Sequence, residues 1–190
     1  MGKFFAFLYR MKYISRWSLM RNTRTENLAE HSFHVSVLAH ALAVISRDVF
    51  ENEISPERVC AAALYHDMSE ILTGDLPTPI KYYGEEIKSA YKKIEREAEG
   101  RLLSFLDDDI RDGISESASC RDAEVSRLVK AADKLDAYIK CCEERKSGNS
   151  DFALAESQTK LVLERLNCRE ADYFIEHYMD AFLMTLDELE

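Results

Sequence analysis

Glycine and proline are scarce in this chain of 190 residues, which contains only 6 Gly and 3 Pro. A many-stranded sheet consumes Gly, Asn and Pro in its hairpin turns, so this scarcity argues against an all-β fold. Apolar residues at helical spacing instead define six or seven segments along the chain. We therefore expect an all-α protein whose residues 1–190 form one domain.

Paired cysteines and long apolar runs are also lacking. The cysteines are odd in number and show no CxxC spacing; they are Cys60, Cys120, Cys141, Cys142 and Cys168. This pattern disfavours a disulfide framework and a zinc ribbon. No run approaches the ~18 apolar residues of a membrane span, and the apolar stretch 4–9 is too short for a signal peptide core. We expect a cytoplasmic protein with no membrane partner.

Positive charge is in short supply overall, since the net charge is -10 at pH 7. Such a balance argues against nucleic acid as a partner, because phosphate contacts along a duplex need a basic face. The first 24 residues are the exception, with six cations and no acid. We expect this segment to attract a small anion.

Capping signals place several helix ends. Asn27 with Glu30 three residues later is typical of a capping box that opens a second helix, and Ser55 followed by Pro56 opens a third that runs to residue 72. Further helices are predicted at about 3–11, 85–106, 123–145, 150–166 and 170–186. The prolines within 73–79 predict a stiff, non-helical loop, and the acidic stretch 107–122 predicts a loop with one short turn.

Side chains of metal-ligand type occur where a plain helical core would have aliphatic residues. His31 shares a helix stripe with Val35, the pair His66–Asp67 follows a run rich in alanine, and Asp133 lies between apolar neighbours. A buried carboxylate is costly unless it is paired or bound to a metal. Together these four side chains could enclose one divalent cation with nitrogen and oxygen ligands.

Each of these residues also has a plainer interpretation. A single inward histidine is more often a hydrogen-bonded core residue, and a lone aspartate on a helix is more often solvated. His34, one turn from His31, is a candidate to support a ligand from behind. We expect His40 and His177 to be surface residues.

These motifs resemble the HD-domain superfamily of metal-dependent phosphohydrolases, whose signature is the order H…HD…D. More of the chain is similar to the bacterial 5'-deoxynucleotidases of this superfamily. The similar stretches are residues 14–17, 19–22, 24–27, 30–32, 65–67, 69–70, 72–79 and 137–141. The resemblance therefore covers nearly the whole chain and implies a single helical bundle with a metal site between its helices.

The resemblance implies a function and a set of roles. The substrate would be a 2'-deoxyribonucleoside 5'-monophosphate, and one divalent cation, such as cobalt, manganese or another transition metal, would be the cofactor. The implied metal ligands are His31, His66, Asp67 and Asp133. The implied substrate-binding residues are Arg16, Trp17, His31, Asp67, Asp75, Leu76, Pro77, Thr78 and Asp133. The resemblance also implies a homodimer.

Glu70 is predicted to act on the attacking water, and with Arg16 and Asp67 it completes the predicted catalytic set. On a continuous helix it would lie about one turn beyond His66 and Asp67 and within ~60° of both. Without the resemblance, Glu70 would be interpreted as a solvated helix residue. Arg16 would be interpreted as an arginine whose stem covers apolar surface while its charge stays in water, beside Trp17 as a core residue. Another HD hydrolase, acting on nucleoside triphosphates or cyclic nucleotides, and a non-catalytic nucleotide-binding regulator remain alternatives.

Overall fold

The computed structural model describes residues 2–81 and 83–190, and of Thr78 the backbone only. No β-strand occurs in that part of the chain, which confirms the all-α prediction. The α-helices are α1 (Phe4–Leu8), α2 (Leu28–Asp48), α3 (Pro56–Tyr65), α4 (Glu70–Thr73), α5 (Thr78–Lys81), α6 (Glu85–Leu103), α7 (Asp108–Ala118), α8 (Ala123–Lys146), α9 (Ala153–Leu166) and α10 (Arg169–Tyr178). Short 3-10 segments cover Tyr9–Tyr13, Ser150–Phe152, Met179–Leu183 and Leu186–Glu188.

Helix α2 is the centre of the bundle, with α3, α8 and α10 packed around it. Its fully buried Val35 and Leu42 meet Val59 of α3, Leu135 of α8 and Phe174 of α10 in the main core. By length and composition α2 is long and apolar enough to cross a membrane. However, 56% of its most apolar 18-residue stretch is buried inside the protein. Its apolar character is therefore that of a core helix.

The predicted caps form as expected. The Asn27 side chain accepts hydrogen bonds from the amides of Ala29 and Glu30, and the Glu30 carboxylate accepts one from the Asn27 amide at 3.2 Å. Ser55 caps α3, with Pro56 at the first helical position, where its missing N–H is not needed. These caps fix where α2 and α3 begin. They thereby help to fix the positions of His31, on α2, and of His66, which follows the end of α3.

The acidic stretch 107–122 differs from the prediction, because it contains the 11-residue helix α7. Ile110, Ile114 and Ala118 recur every four residues, and the last two pack against a second apolar cluster around Met68. Asp108 and its neighbour Asp109 lie in the first turn, where negative charge is favourable. The prediction of a loop was wrong because the dense acids and Gly113 obscured this apolar spacing.

The third predicted helix is also shorter than expected. Helix α3 ends at Tyr65, turns follow at 66–69, and the short α4 begins at Glu70. Only residues 74–77 of the predicted loop 73–79 lie outside helices, because Pro79 is tolerated in the first turn of α5. Gly74 adopts φ +74°, a conformation that favours glycine, and turns the chain out of α4.

The other helix ends shift by a few residues. The first predicted helix is split between α1 and a 3-10 segment, the fourth ends at Leu103, and the last α-helix gives way to 3-10 turns after Tyr178. The fifth predicted helix is α8, which continues to Lys146.

Candidate metal centre

Three parts of the fold bring the four predicted ligands together. His31 lies in the first turn of α2, His66 and Asp67 follow the end of α3, and Asp133 lies midway along α8. The His31 Nε2 atom is 3.5 Å from Asp67 Oδ2 and 3.4 Å from Asp133 Oδ1. The His66 Nε2 atom is 3.2 Å from the same Asp67 oxygen. Two imidazole nitrogens and two carboxylate oxygens thus converge on one point.

The far nitrogen of each imidazole is held by a hydrogen-bonding partner. His31 Nδ1 lies 2.6 Å from Asp136 Oδ2, and His66 Nδ1 lies 2.7 Å from the carbonyl oxygen of Ala63. In the tautomer that donates from Nδ1 to these acceptors, each Nε2 is left with a bare lone pair. Both Nε2 atoms are buried without a hydrogen-bond partner. Orphaned buried nitrogens of this kind fit a metal ion, since burial without a partner is otherwise costly.

The donor set matches a divalent transition metal better than magnesium or calcium. Magnesium and calcium take oxygen ligands, whereas imidazole nitrogens suit zinc, cobalt, iron and manganese sites of mixed ligand type. Donor atoms of His31, His66 and Asp133 all lie within 4.8 Å of one another. The residues present therefore fit one divalent cation.

The two carboxyls of the centre are held in the ionised form by their neighbours despite their burial. Burial disfavours the charged form of Asp67, but His66 and His31 outweigh it and lower the pKa of this carboxyl well below its usual range. The pKa of Asp133 is lowered in the same way, because His31 and Lys134 outweigh its burial. Both aspartates are thus ionised and ready to act as ligands.

Arg16 and Trp17 lie against this centre. Arg16 is 12% exposed, and its Nη1 atom is 3.6 Å from Asp67 Oδ2. Its Nε atom is 3.5 Å from Glu26 Oε1, and the Trp17 indole donates a hydrogen bond of 3.0 Å to Glu26 Oε2. The guanidinium therefore lies at the edge of the donor cluster, where it can meet an anionic ligand of a bound metal.

Glu70 is buried beside the centre at 4% exposure. Because α3 ends at Tyr65, the continuous-helix geometry predicted for Glu70 was wrong, and a turn with the Glu70 amide bonded to the Asp67 carbonyl brings it here. Its Oε2 atom has no hydrogen-bond partner, and its Oε1 atom is 3.7 Å from Lys81 Nζ. Burial, reinforced by Asp67 and Asp75, raises the pKa of Glu70 to about 8.

The predicted loop lies next to these groups. Asp75, Leu76 and Pro77 are half-buried, and Asp75 is close enough for its charge to act on both Arg16 and Glu70. The side chain of Thr78, also predicted to bind substrate, lies outside the described part of the chain.

Comparison with known proteins places the chain in a family. Residues 3–182 match the model of the family described as 5'-deoxynucleotidase YfbR-like. The chain belongs to this YfbR-like family. A 5'-deoxynucleotidase of Vibrio cholerae is 47% identical over 191 residues, which cover 98% of this chain and 97% of the relative. The Escherichia coli K12 5'-deoxynucleotidase YfbR is 46% identical over 189 residues, covering 98% of this chain and 94% of the relative.

Solved structures share the fold at lower identity. An HD-domain phosphohydrolase from Listeria innocua superposes with a TM-score of 0.80 at 21% identity, covering 97% of this chain and 90% of that one. A cyanophage S-2L HD phosphohydrolase, solved with dA and one catalytic Zn²⁺ ion, gives a TM-score of 0.63 at 23% identity, covering 93% and 96%. At these identities the likeness supports the fold of this YfbR-like protein.

Sequence reasoning missed two carboxylates that face His31 from behind. Asp136 follows Asp133 by three residues, so both lie on one face of α8, and this spacing was the signal available. Glu26 immediately precedes the cap of α2 and falls in the family-like stretch 24–27, but its residue type and spacing there indicate no role. His34 is half exposed with Nδ1 3.5 Å from Asp136 Oδ1. His40 and His177 are exposed, which confirms that prediction.

A cavity of about 330 Å³ adjoins the centre of this YfbR-like protein at His66 and Asp133. It lies between α3, α6, α7 and α8, and its lining includes hydroxyls and cations from Ser117, Ser119, Ser126, Arg121 and Lys130. Its size is at the lower end of the ~300–1,000 Å³ range of small-molecule sites. The unpredicted helix α7 therefore forms one wall of the space next to the metal ligands.

Proposed function

We propose that this YfbR-like protein is a metal-dependent 5'-deoxynucleotidase that hydrolyses 2'-deoxyribonucleoside 5'-monophosphates to a deoxynucleoside and phosphate. The observation that carries the proposal is the convergence of two unpartnered imidazole nitrogens and two carboxylates, with the Arg16 guanidinium 3.6 Å from Asp67. The 5'-deoxynucleotidases of Vibrio cholerae and Escherichia coli, at 46–47% identity, support the choice of substrate.

His31, His66, Asp67 and Asp133 would hold one divalent cation, which we propose to be cobalt, manganese or another transition metal. When bound, such a cation withdraws charge from a phosphate oxygen and acidifies a water molecule. Three of these side chains, His31, Asp67 and Asp133, would also contact the substrate. Asp67, between Arg16 and the imidazoles, would thus belong to both the metal site and the substrate site.

Arg16 binds the phosphate and offsets charge that develops on it. Its planar guanidinium matches phosphate oxygens, and burial strengthens this attraction by excluding water. Trp17 lies next to it along the chain and offers an aromatic face for packing against the nucleoside. Asp75, Leu76, Pro77 and Thr78 form the wall against the sugar.

Glu70 accepts a proton from the attacking water. The water oxygen forms a bond to phosphorus and the bond from phosphorus to the 5' oxygen breaks. The leaving 5' oxygen takes a proton from solvent to give the alcohol, and Glu70 returns its proton to solvent. The unpartnered Oε2 atom of Glu70 gives the water an acceptor. Burial, which raises the pKa of Glu70 to about 8, makes its carboxylate a stronger base than a solvated glutamate.

The deciding experiment measures phosphate release by metal-stripped protein to which manganese or cobalt is returned. We expect hydrolysis of dAMP, and little of dATP or cyclic AMP. Chelation should abolish the activity, and Asp67→Ala should lack it under every metal condition. Preferred hydrolysis of dATP or cyclic AMP would overturn the substrate assignment, and tight dAMP binding without turnover would indicate a regulator.

We also propose that the protein acts in the cytoplasm, without nucleic acid, as a homodimer. On α10, Phe174 is buried whereas Tyr178 is 48% exposed. Further apolar residues near the C-terminus are exposed, namely Phe182, Leu183, Met184, Leu186 and Leu189. A second copy covering this surface would bury them. Light scattering should give twice the chain mass, and Leu186→Glu should reduce it.

A further inference from the structure

Glu26 is a buried carboxylate to which the proposed reaction assigns no role. It is 8% exposed and lies one residue before the cap of α2. The two oxygens of its side chain face different donors: Oε2 accepts from the Trp17 indole at 3.0 Å, and Oε1 is 3.5 Å from Arg16 Nε. One carboxylate thus contacts both members of the proposed phosphate-binding pair.

The backbone reinforces this contact. The Arg16 amide donates to the Glu26 carbonyl at 3.0 Å, and the Leu28 amide donates to the Ile14 carbonyl at 2.9 Å. Between these two bonds, Ser15 and Asn27 form an isolated antiparallel bridge. The segment that carries Arg16 is therefore fixed to the segment that opens α2, and Glu26 adds a side-chain bond to that pairing.

Trp17 is held in a conformation that it would not adopt freely. Its φ of +55° is in the left-handed region, which a residue other than glycine rarely adopts. Its carbonyl accepts bonds from the Met20 amide at 2.9 Å and from Asn22 Nδ2 at 3.3 Å. The Trp17 side chain is held by the bond from its indole to Glu26 and by packing of its ring against Phe152, with ring centroids 5.4 Å apart. Residues kept in such conformations cluster at functional sites.

Glu26 and Asp136 both approach His31, but at different distances. Asp136 Oδ2 is 2.6 Å from His31 Nδ1, within hydrogen-bond distance, whereas Glu26 Oε1 is 3.6 Å from that nitrogen. His31 is therefore oriented by Asp136. Glu26 instead accepts a hydrogen bond from the Trp17 indole through Oε2, and its Oε1 atom lies at similar distances from Arg16 Nε, 3.5 Å, and His31 Nδ1, 3.6 Å.

We propose that Glu26 is a positioning residue that orients Arg16 and Trp17 for the phosphate monoester, and that it does so without holding the metal. The inference rests on the proposed function. Glu26 engages the Nε side of the guanidinium, while Nη1 is directed toward Asp67 and the metal ligands. An arginine fixed in this way loses less conformational freedom when the phosphate binds.

The first test uses Trp17 as a reporter, because it is the single tryptophan of the chain. Glu26→Gln removes the carboxylate charge and leaves at most a neutral, weaker acceptor for the indole N–H, so we expect a shifted emission maximum and easier quenching by acrylamide. Titration with inorganic phosphate should show weaker binding than in the unchanged protein. The bound manganese per chain should stay the same. Unchanged emission together with unchanged phosphate binding would overturn the proposal.

A double-mutant cycle separates positioning from general damage to the fold. Glu26→Gln should lower kcat/KM for dAMP by about tenfold, or ~1.4 kcal/mol. In an Arg16→Ala background the same change should lower it by less than about threefold, since coupled residues are not additive. An equal loss in both backgrounds would contradict the positioning role.

The matched control is Asp136→Asn, which alters the other carboxylate behind His31. It should weaken manganese binding and leave Trp17 emission unchanged, the reverse of Glu26→Gln. Loss of manganese from Glu26→Gln would place Glu26 in the metal site and overturn the inference. If Glu26→Gln does not fold, Glu26→Asp keeps the charge but shortens its reach, and the same readouts apply.

These outcomes distinguish the inference from the proposed function. If the unchanged protein releases phosphate from no nucleotide, the proposed function fails, while the emission and phosphate titrations still decide the role of Glu26. If the unchanged protein hydrolyses dAMP and Glu26→Gln behaves identically in every assay, the inference alone fails.

Discussion

Asp136 Oδ2 lies 2.6 Å from His31 Nδ1 on the side of the imidazole opposite its bare Nε2 atom. The pair fixes the ring orientation and makes the imidazole a better ligand. Asp136 lies on α8 one turn after Asp133. The same helix thus supplies one proposed ligand, Asp133, and the residue that orients another, His31.

Asp136→Asn should therefore weaken metal binding by about 10–100-fold, the usual scale for loss of such a partner. The measurement is a competition titration against a chelator of known affinity. Asp48→Asn, at the exposed far end of α2, is the control and should bind metal normally. Equal affinity in the two variants would contradict the role of Asp136.

A single metal ion per chain is the second prediction. The sequence contains no histidine between His66 and His177 that could complete a second site. The described residues offer another candidate group, Glu26, His31 and Asp136, but it shares His31 with the first. Elemental analysis of active protein should give a stoichiometry near one, reduced by His66→Ala. A reproducible value near two would show that additional ligands are recruited.

Glu70→Ala should lower kcat by roughly 100-fold or more, because removal of a general base has that scale. Metal content and nucleotide affinity should persist, since Glu70 lies beside the donor cluster and is not one of the proposed ligands. Glu86→Ala, on the exposed surface of α6, is the control. If Glu70→Ala loses its metal, Glu70 must be reassigned as a ligand.

Local signals predicted much of this fold. Asn27 with Glu30, and Ser55 with Pro56, have their effect within one helical turn, so the start of α2 and the start of α3 could be inferred from neighbours in sequence. Helix α7 has a local apolar spacing, but the acids around it hid that pattern. The early end of α3 at Tyr65 depends on packing against other elements, including the cluster around Met68, which a local pattern does not report.

The candidate site divides in the same way. Histidines and aspartates on the apolar face of a helix can be recognised in the sequence as candidate ligands, because burial of such groups is costly unless they are paired or bind a metal. Glu26 and Lys81 are ordinary surface residue types until the fold brings them against Arg16 and Glu70. Their contacts depend on the pairing of residues 14–16 with 26–28 and on the short helix α5, which no periodicity marks.

The contact between Lys81 and Glu70 leads to a prediction for the pH dependence of kcat. Burial, Asp67 and Asp75 together raise the pKa of Glu70 to about 8, although the Lys81 ammonium 3.7 Å away opposes this rise. Lys81→Met removes a charge that favours the ionised carboxylate, so the pKa of Glu70 rises. A base must be ionised to accept a proton, and the rising limb of kcat against pH should therefore move to higher pH.

The measurement is a pH profile of kcat with dAMP from pH 5.5 to 9.5. Near neutral pH, we expect kcat of Lys81→Met to be lower than that of the unchanged protein by about twofold or more. At alkaline pH the two values should be similar. Lys88→Met removes the exposed ion pair with Glu85 and serves as the matched control, with no shift. A limb that moves to lower pH would exclude Glu70 as the base.

Discrimination between deoxyribose and ribose is the last prediction. The loop at 74–77 leaves α4 through Gly74, continues through half-buried Leu76 and Pro77, and is followed at once by α5. A proline-stiffened wall is ordered before the ligand arrives. If it leaves the 2'-hydroxyl without a hydrogen-bond partner, binding of a ribonucleotide is weakened by about 1–3 kcal/mol.

We expect kcat/KM for dAMP to exceed that for AMP by about tenfold or more, with similar values for dGMP, dCMP and TMP. Leu76→Ala should narrow the gap between dAMP and AMP by opening the wall. Equal values for the two nucleotides in the unchanged protein would overturn sugar selection, and one strongly favoured base would overturn base tolerance while leaving hydrolysis of the monophosphate intact.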